Sequence, residues 1–366
     1  MNTREYNFDL LRVVSCIAVI LIHVSKDWFN EACYAVSTGS TISELNHPIG
    51  ISVLVTVPRF AVPCFIMLSG AFILNKKSTR NYKMFYSNIF KRIGIPTVIF
   101  SIAYVLYRVP FCFIGESTAL SEIKSLVIDI FKGCPMYHMW YLYMIIGIYA
   151  LAPLLVRFKE TVSDKTFNSI AFGFLILANL SQWTTNNVYF TWDLGNSFEY
   201  LGYFMVGYCI RNNVVKKSSG KAVSAIALGI IIELTGAYFQ YGVICRGIQE
   251  NKMIIPSSPI IVMSSLLIFY GFANFNFNKN ISRLSFLTFY IYLIHAGVWD
   301  FIKKVTRLLK GDQYLMKIDA IGGTILFVGL VFVISYILAV IYKLIVEKID
   351  SRYSITNALS KLVRLN

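Results

Sequence analysis

Apolar residues gather into ten stretches separated by short polar turns, at 8–26, 49–74, 92–114, 136–156, 167–182, 198–211, 222–241, 257–275, 285–302 and 321–346. A helix needs about 20 apolar residues to cross about 30 Å of hydrocarbon. The pattern therefore predicts an all-α polytopic membrane protein of about ten transmembrane helices, with the fifth and sixth the shortest or most interrupted by polar residues. The first stretch holds Arg12 and lacks a small-x-small cleavage site, which predicts a retained signal-anchor helix. Beyond the last stretch, SRYSITNALSKLVRLN spaces Ile355, Leu359 and Leu362 at helical intervals beside Lys361 and Arg364. The expected organisation is one transmembrane domain over 1–350 and a short basic amphipathic cytoplasmic tail over 351–366.

Charge orients these elements. With the N-terminus inside, 21 Lys and Arg fall on the cytoplasmic side and 10 on the outer side, so both termini are expected in the cytoplasm. The segment 303–320 dissents, placing Lys303, Lys304, Arg307, Lys310 and Lys317 on the outer side. Either an extra re-entrant or amphipathic helix lies there, or the spans near the end are miscounted by one. Composition agrees with a membrane protein: 56% hydrophobic, 14% charged, and a net charge of +15 scattered through loops. Such charge suits anionic lipid rather than nucleic acid. Seven well-spaced cysteines without a Cys-x-x-Cys indicate neither a zinc site nor a disulfide framework.

Within FDLLRVVSCIAVILIHVS, eleven residues separate Arg12 from His23. At about 100° per residue the two share one helix face, about 16 Å apart along the axis, and Asp9 lies about 40° from His23 on the same stripe. Ionisable groups cost roughly 2.5–3.5 kcal/mol or more at the centre of a membrane helix, so this stripe is expected to face protein or water. A neutral imidazole there can act as a general base, and an arginine nearer the cytoplasm can hold an anion. The plainer reading of His23 is a hydrogen bond to a neighbouring helix. Arg59 lies between Pro58 and Pro63, which break the backbone ladder and suit a polar cavity; alternatively it pairs with Glu233 or Glu199. Ser69 and Gly70 read as packing residues.

His138 and Trp140 open the fourth span among tyrosines, where an aromatic belt explains the rings and the histidine is a candidate for the acceptor entrance. His295 shares a face with Thr288, with structural and catalytic roles equally open. Lys91 and Arg92 stand where the third helix begins and can grip phosphates at the membrane surface. The chain contains no Gly-rich phosphate loop, GxSxG elbow or HExxH motif.

The chain resembles the acyltransferase-3 family of integral-membrane O-acyltransferases. The resemblance rests on FDLLR with R-x10-H in the first helix, PRFAVPCFIMLSGAFIL in the second and KRIGIP entering the third. It continues through YHMWYLYMIIGIYALAPLL, YLGYFMVGYCI and SFLTFYIYLIH, in the family's order over residues 8–295. The Tyr-His-x-Trp block is similar to that of the branch containing the enterobacterial common antigen O-acetyltransferase. The resemblance implies a ten-helix fold, acyl-CoA (commonly acetyl-CoA) as donor, and a hydroxyl of a cell-envelope glycan or lipid-linked sugar as acceptor. It makes His23 the central catalytic residue and Arg12 its companion. Many relatives carry two arginines three apart before the third-helix proline, whereas here adjacent Lys91 and Arg92 precede Pro96. With no fused hydrolase-like domain before Asn366, transfer is expected to finish in the membrane domain or pass to a separate partner.

The expected activity is thus O-acetyl transfer in the plasma (inner) membrane, with catalytic His23, Arg12, Asp9 and Arg59. Donor binding falls to Lys91, Arg92 and Arg12, and acceptor contacts to His138, Trp140 and His295. No permanently bound cofactor or metal is expected, only acetyl-CoA as cosubstrate and lipids as surroundings. The rival reading is a transporter or flippase using the buried Arg and His groups as a substrate and proton pathway, which calls for inverted repeats and paired broken helices. A membrane scaffold with interhelical polar glue is the third reading.

Overall fold

The computed structural model describes residues 4–113, 119–184, 194–214, 217–248, 255–310 and 318–353, and among these every regular element is helical. In chain order they are α1 (Tyr6–Ser37), α2 (Pro48–Thr56), α3 (Ala61–Ile73), α4 (Tyr82–Ile89), α5 (Ile95–Arg108), α6 (Ala119–Phe131) and α7 (Trp140–Thr161). There follow α8 (Asp164–Thr184), α9 (Leu194–Asn213), α10 (Ser219–Ile244), α11 (Pro259–Asn274), α12 (Ser282–Lys310) and α13 (Ala320–Tyr353). Short 3₁₀ or π turns join α2 to α3 and α4 to α5 into longer rods. Among the described residues seven helices are long and apolar enough to cross a membrane: Tyr6–Ser37, Pro48–Ile73, Tyr82–Phe113, Trp140–Thr161, Ser219–Ile244, Ser282–Leu309 and Ala320–Lys348. All ten expected stretches fall on helices, but α8, α9 and α11 are not among the seven.

The chain divides into two compact units, one of Met1–Ile73 and Val162–Tyr336, the other of Leu74–Thr161 and Ile337–Asn366. In the first, α1 packs against α2, α3 and α12 and also touches α10 and α11. It holds neither Pro nor Gly, so its backbone ladder runs uninterrupted for 32 residues. The expected end at residue 26 is overrun because the next turns still have an apolar stripe, burying Trp28, Phe29, Ala32 and Cys33. α12 overruns its expected end in the same way. Trp299 Nε1 donates to Asp27 Oδ2 at 2.7 Å and Lys303 Nζ reaches the same oxygen at 3.0 Å. Lys304 pairs with Asp300 at 2.8 Å. The basic segment that dissented from the charge count is thus in large part the end of α12, where Lys303 meets an acid of α1 and Lys304 one of α12 itself. Lys317 lies outside the described residues.

Pro58 cannot bond the Leu54 carbonyl, and Ser25 Oγ of α1 donates to that oxygen at 3.2 Å. The backbone there passes through a 3₁₀ turn, Val57–Phe60, which carries Arg59. Below it α3 meets α9 at van der Waals limits. A Cβ on Gly70 would overlap the Phe204 carbonyl, and one on Gly207 would overlap the Met67 carbonyl. These glycines let two backbones touch where the apolar effect drives no helix association.

In the second unit, the Ile95 N–H bonds Phe90 O, so Phe90–Gly94 forms a π turn just ahead of Pro96. Helix α6 occupies a segment expected to be an outer loop. Glu122, Lys124 and Asp129 hold its hydropathy down, yet Leu126 is buried and Asp129 accepts from Arg108 Nη1 at 3.2 Å. Of the expected tail, residues 354–366 lie outside the described residues.

Candidate active site

α1 carries the centre of the site. The imidazole of His23 is half-buried and lies against that of His295 on α12, ring centroids 5.3 Å apart and planes inclined by 33°. His295, 1% exposed, has Nδ1 at 2.6 Å from the Tyr292 carbonyl, so Nδ1 carries the hydrogen and Nε2 the lone pair. Lys26, Lys303 and Arg59 are near enough for their charges to act on His23. His295, expected as an acceptor contact, lies beside His23.

Arg12 occupies the same face of α1, toward the chain's N-terminal end. Its Nη1 donates to Asp9 Oδ1 at 2.8 Å, and its guanidinium lies 4.9 Å from the centroid of the Phe72 ring. Asp9, 1% exposed, is saturated: Arg4 Nε donates to Oδ2 at 2.7 Å, and Ser285 Oγ to Oδ1 at 2.7 Å. The bond that Arg4 donates to Asp9 holds the Arg4 guanidinium above its ordinary pKa. With both oxygens engaged, Asp9 orients Arg12. Arg211 of α9 joins the cluster, its guanidinium 4.4 Å from the same Phe72 centroid, its Nη2 at 2.6 Å from Glu5 Oε2 and its Nη1 donating to Ala71 O at 2.7 Å. Lys217 Nζ donates to Asn7 Oδ1 at 3.0 Å. Four cations against two carboxylates make this end of the first unit electropositive.

Arg59 sits half-buried on its 3₁₀ turn, with Nε donating to the Val55 carbonyl at 3.1 Å. Glu233, one of the two acids the sequence offered as its partner, accepts from Ser264 Oγ at 2.7 Å.

The other expected site residues belong to the second unit. Lys91 is half-buried and Arg92 exposed on the π turn, a distortion found often at functional positions. His138 lies in the turn before α7, 1% exposed, its ring 5.4 Å from that of Tyr104 and 5.8 Å from that of Tyr137. Trp140 begins α7, half-buried and edge-on to Tyr141 at 6.3 Å.

Sequence reasoning missed Arg211, Phe72, Arg4 and Ser285. Arg211 had a signal, an arginine at the end of a stretch otherwise apolar, but it was absorbed into the count of cytoplasmic charge. Phe72 had none, because nothing local marks the aromatic on which a distant guanidinium will rest.

Comparison with known proteins agrees with this chemistry. Searches of curated proteins and of solved structures gave no match. The model of an acyltransferase domain, the acyltransferase-3 family, matches residues 5–343, a span that includes every site residue expected from the sequence. One half-buried and one buried imidazole thus stand with an aligned arginine among the apolar helices of a membrane acyltransferase, and the chain belongs to the acyltransferase-3 family.

Proposed function

We propose that this membrane acyltransferase is an O-acetyltransferase, moving acetyl from acetyl-CoA to a hydroxyl of a cell-envelope polysaccharide or glycolipid. The proposal includes ten membrane-crossing helices, cytoplasmic termini, residence in the plasma (inner) membrane and kinship with the enterobacterial common antigen branch. The observation that carries it is the His23–His295 pair, 5.3 Å between centroids, on the face of α1 that also bears Arg12.

Acetyl-CoA docks from the cytoplasm, Arg12 taking phosphate. Lys91 and Arg92 keep the phosphate-binding role that their position before Pro96 gives them. His23 accepts the proton of the acceptor hydroxyl as its oxygen attacks the thioester carbonyl, and the Arg59 guanidinium stabilises the oxyanion. Collapse of that intermediate expels the thiolate, which takes the proton from His23. The products are the acetyl ester and free CoA, and the histidine returns to its neutral form. His295, beside His23, limits where the acceptor hydroxyl can approach. His138 and Trp140 remain the proposed acceptor contacts of the second unit.

The test is mass spectrometry of envelope glycans from cells with and without the gene, seeking the increment of acetyl replacing hydrogen, alongside CoA release by purified protein. His23→Ala is expected to insert normally and to lower transfer by about 10²–10⁴-fold. Full transfer by that variant, or solute uptake without CoA release, overturns the proposal. Acid-quenched protein carrying acetyl on His23 would replace direct attack by a covalent two-step route.

A further inference from the structure

We infer that Arg211 is a donor-binding residue, holding the ribose phosphate of coenzyme A and so selecting acyl-CoA over thioesters that lack that phosphate; the inference rests on the acyl-transfer reading above. Arg211 stands in the last turn of α9, and three bonds fix the plane of its guanidinium. Nε donates to Glu5 Oε2 at 3.0 Å, Nη2 to the same oxygen at 2.6 Å and Nη1 to the Ala71 carbonyl at 2.7 Å. A guanidinium carries five N–H donors, so these bonds leave one hydrogen on each terminal nitrogen for a phosphate oxygen. The Arg211 side chain is 23% exposed and that of Arg12 30%, which keeps both within reach of a ligand. Gly70 and Gly207, where α3 and α9 touch, are what bring Arg211 against Ala71 and Phe72.

Arg12 and Arg211 lie against one ring. Their guanidinium carbons are 4.9 Å and 4.4 Å from the Phe72 centroid, so they stand no further apart than those distances together, about 9 Å. Like charges this close repel, and a ligand with several negative charges relieves the repulsion. Arg4, on Asp9, and Lys217, on Asn7, add to the excess of positive charge over that of Glu5 and Asp9. Order along α1 assigns the ligand group. His23, Arg12 and Glu5 follow one another toward the start of the helix, and Arg211 is anchored at Glu5. In acyl-CoA the thioester, the diphosphate and the ribose phosphate follow one another in the same order. With the thioester at His23 and the diphosphate at Arg12, the ribose phosphate falls to Arg211.

The experiment uses the full chain in lipid nanodiscs and measures equilibrium binding of radiolabelled acetyl-CoA and of acetyl-dephospho-CoA, which lacks the ribose phosphate. Thiol release with a total envelope glycolipid extract reads activity alongside. The wild-type chain is expected to bind acetyl-CoA about 10–100-fold more tightly than the dephospho form, as charge-assisted bonds to one phosphate imply. Arg211→Gln should weaken acetyl-CoA by about that factor and leave acetyl-dephospho-CoA within about threefold. Its kcat at saturating donor should stay within about twofold, since the contact is made equally in the ground and transition states. Arg12→Gln, whose diphosphate partner is present in both donors, should weaken both alike. Arg211→Lys keeps the charge without the planar set of donors, so it should retain only part of the preference, and it serves if Arg211→Gln fails to fold. Equal binding of the two donors by the wild-type chain, an undiminished preference in either Arg211 variant, or a loss equal for both donors would overturn the inference. An equal loss seen only in discs containing anionic lipid would assign Arg211 to a lipid phosphate instead. Failure of the acyl-transfer reading looks different, because the wild-type chain then binds neither donor and releases no thiol.

Discussion

The tautomer of His295 decides what the imidazole pair can do. With its Nδ1 hydrogen committed to Tyr292, the ring offers a lone pair at Nε2 toward its surroundings. His295→Ala is expected to insert and fold yet lower kcat by about tenfold or more, measured by thiol release, because the ring that fills the space beside His23 is gone. At the other end of the stripe Asp9→Asn should raise the KM for acetyl-CoA and cost about 1–3 kcal/mol of stability, read by thermal unfolding in detergent, since three donors lose a charged acceptor. Arg4→Ala should cost less than about 1 kcal/mol, its side chain being 51% exposed. The alignment of Asp9, Arg12 and His23 was legible in the sequence because it depends only on the period of one helix. The meeting of His23 with His295 was not, because it depends on which faces of α1 and α12 pack together.

Helix contacts carry the same lesson at the next scale. Gly207→Ala should lower the melting temperature by an overpacking cost of about 1–3 kcal/mol, because the added carbon meets the Met67 carbonyl and α3 and α9 must separate. The same separation pulls Arg211 away from Phe72 and Ala71, so activity should fall along with stability. Existence of the apolar helices was readable from hydropathy, and their ends were not. Both α1 and α12 run on where amphipathic turns find each other through Asp27, Trp299 and Lys303, a pairing no local signal encodes. For α6, Ile123, Leu126 and Ile130 keep a helical period that a search for membrane spans passes over. The π turn at Lys91 and Arg92 was legible only as a basic pair ahead of a proline.

On the scale of the whole molecule, the sequence pattern anticipated one membrane domain, and its helices gather into two compact units with α13 contributing to both. Contacts between residues far apart in the chain make that division, which is why hydropathy is blind to it. The expected orientation has a direct check in Cys134, the exposed cysteine among those described. A membrane-impermeant thiol reagent should label it from the outer face of intact cells, and Cys134→Ser should remove most of that label; labelling only after permeabilisation would invert the topology. The unbroken course of α1 has a further consequence. With no hinge between Arg12 and His23, the helix acts as a ruler, about 16 Å from the proposed phosphate anchor to the proposed base. Inserting one alanine between them should abolish transfer by swinging the imidazole about 100° off its stripe. Four alanines restore the azimuth but lengthen the gauge by about 6 Å, so transfer should return only with a donor whose thioester arm is longer by a comparable reach.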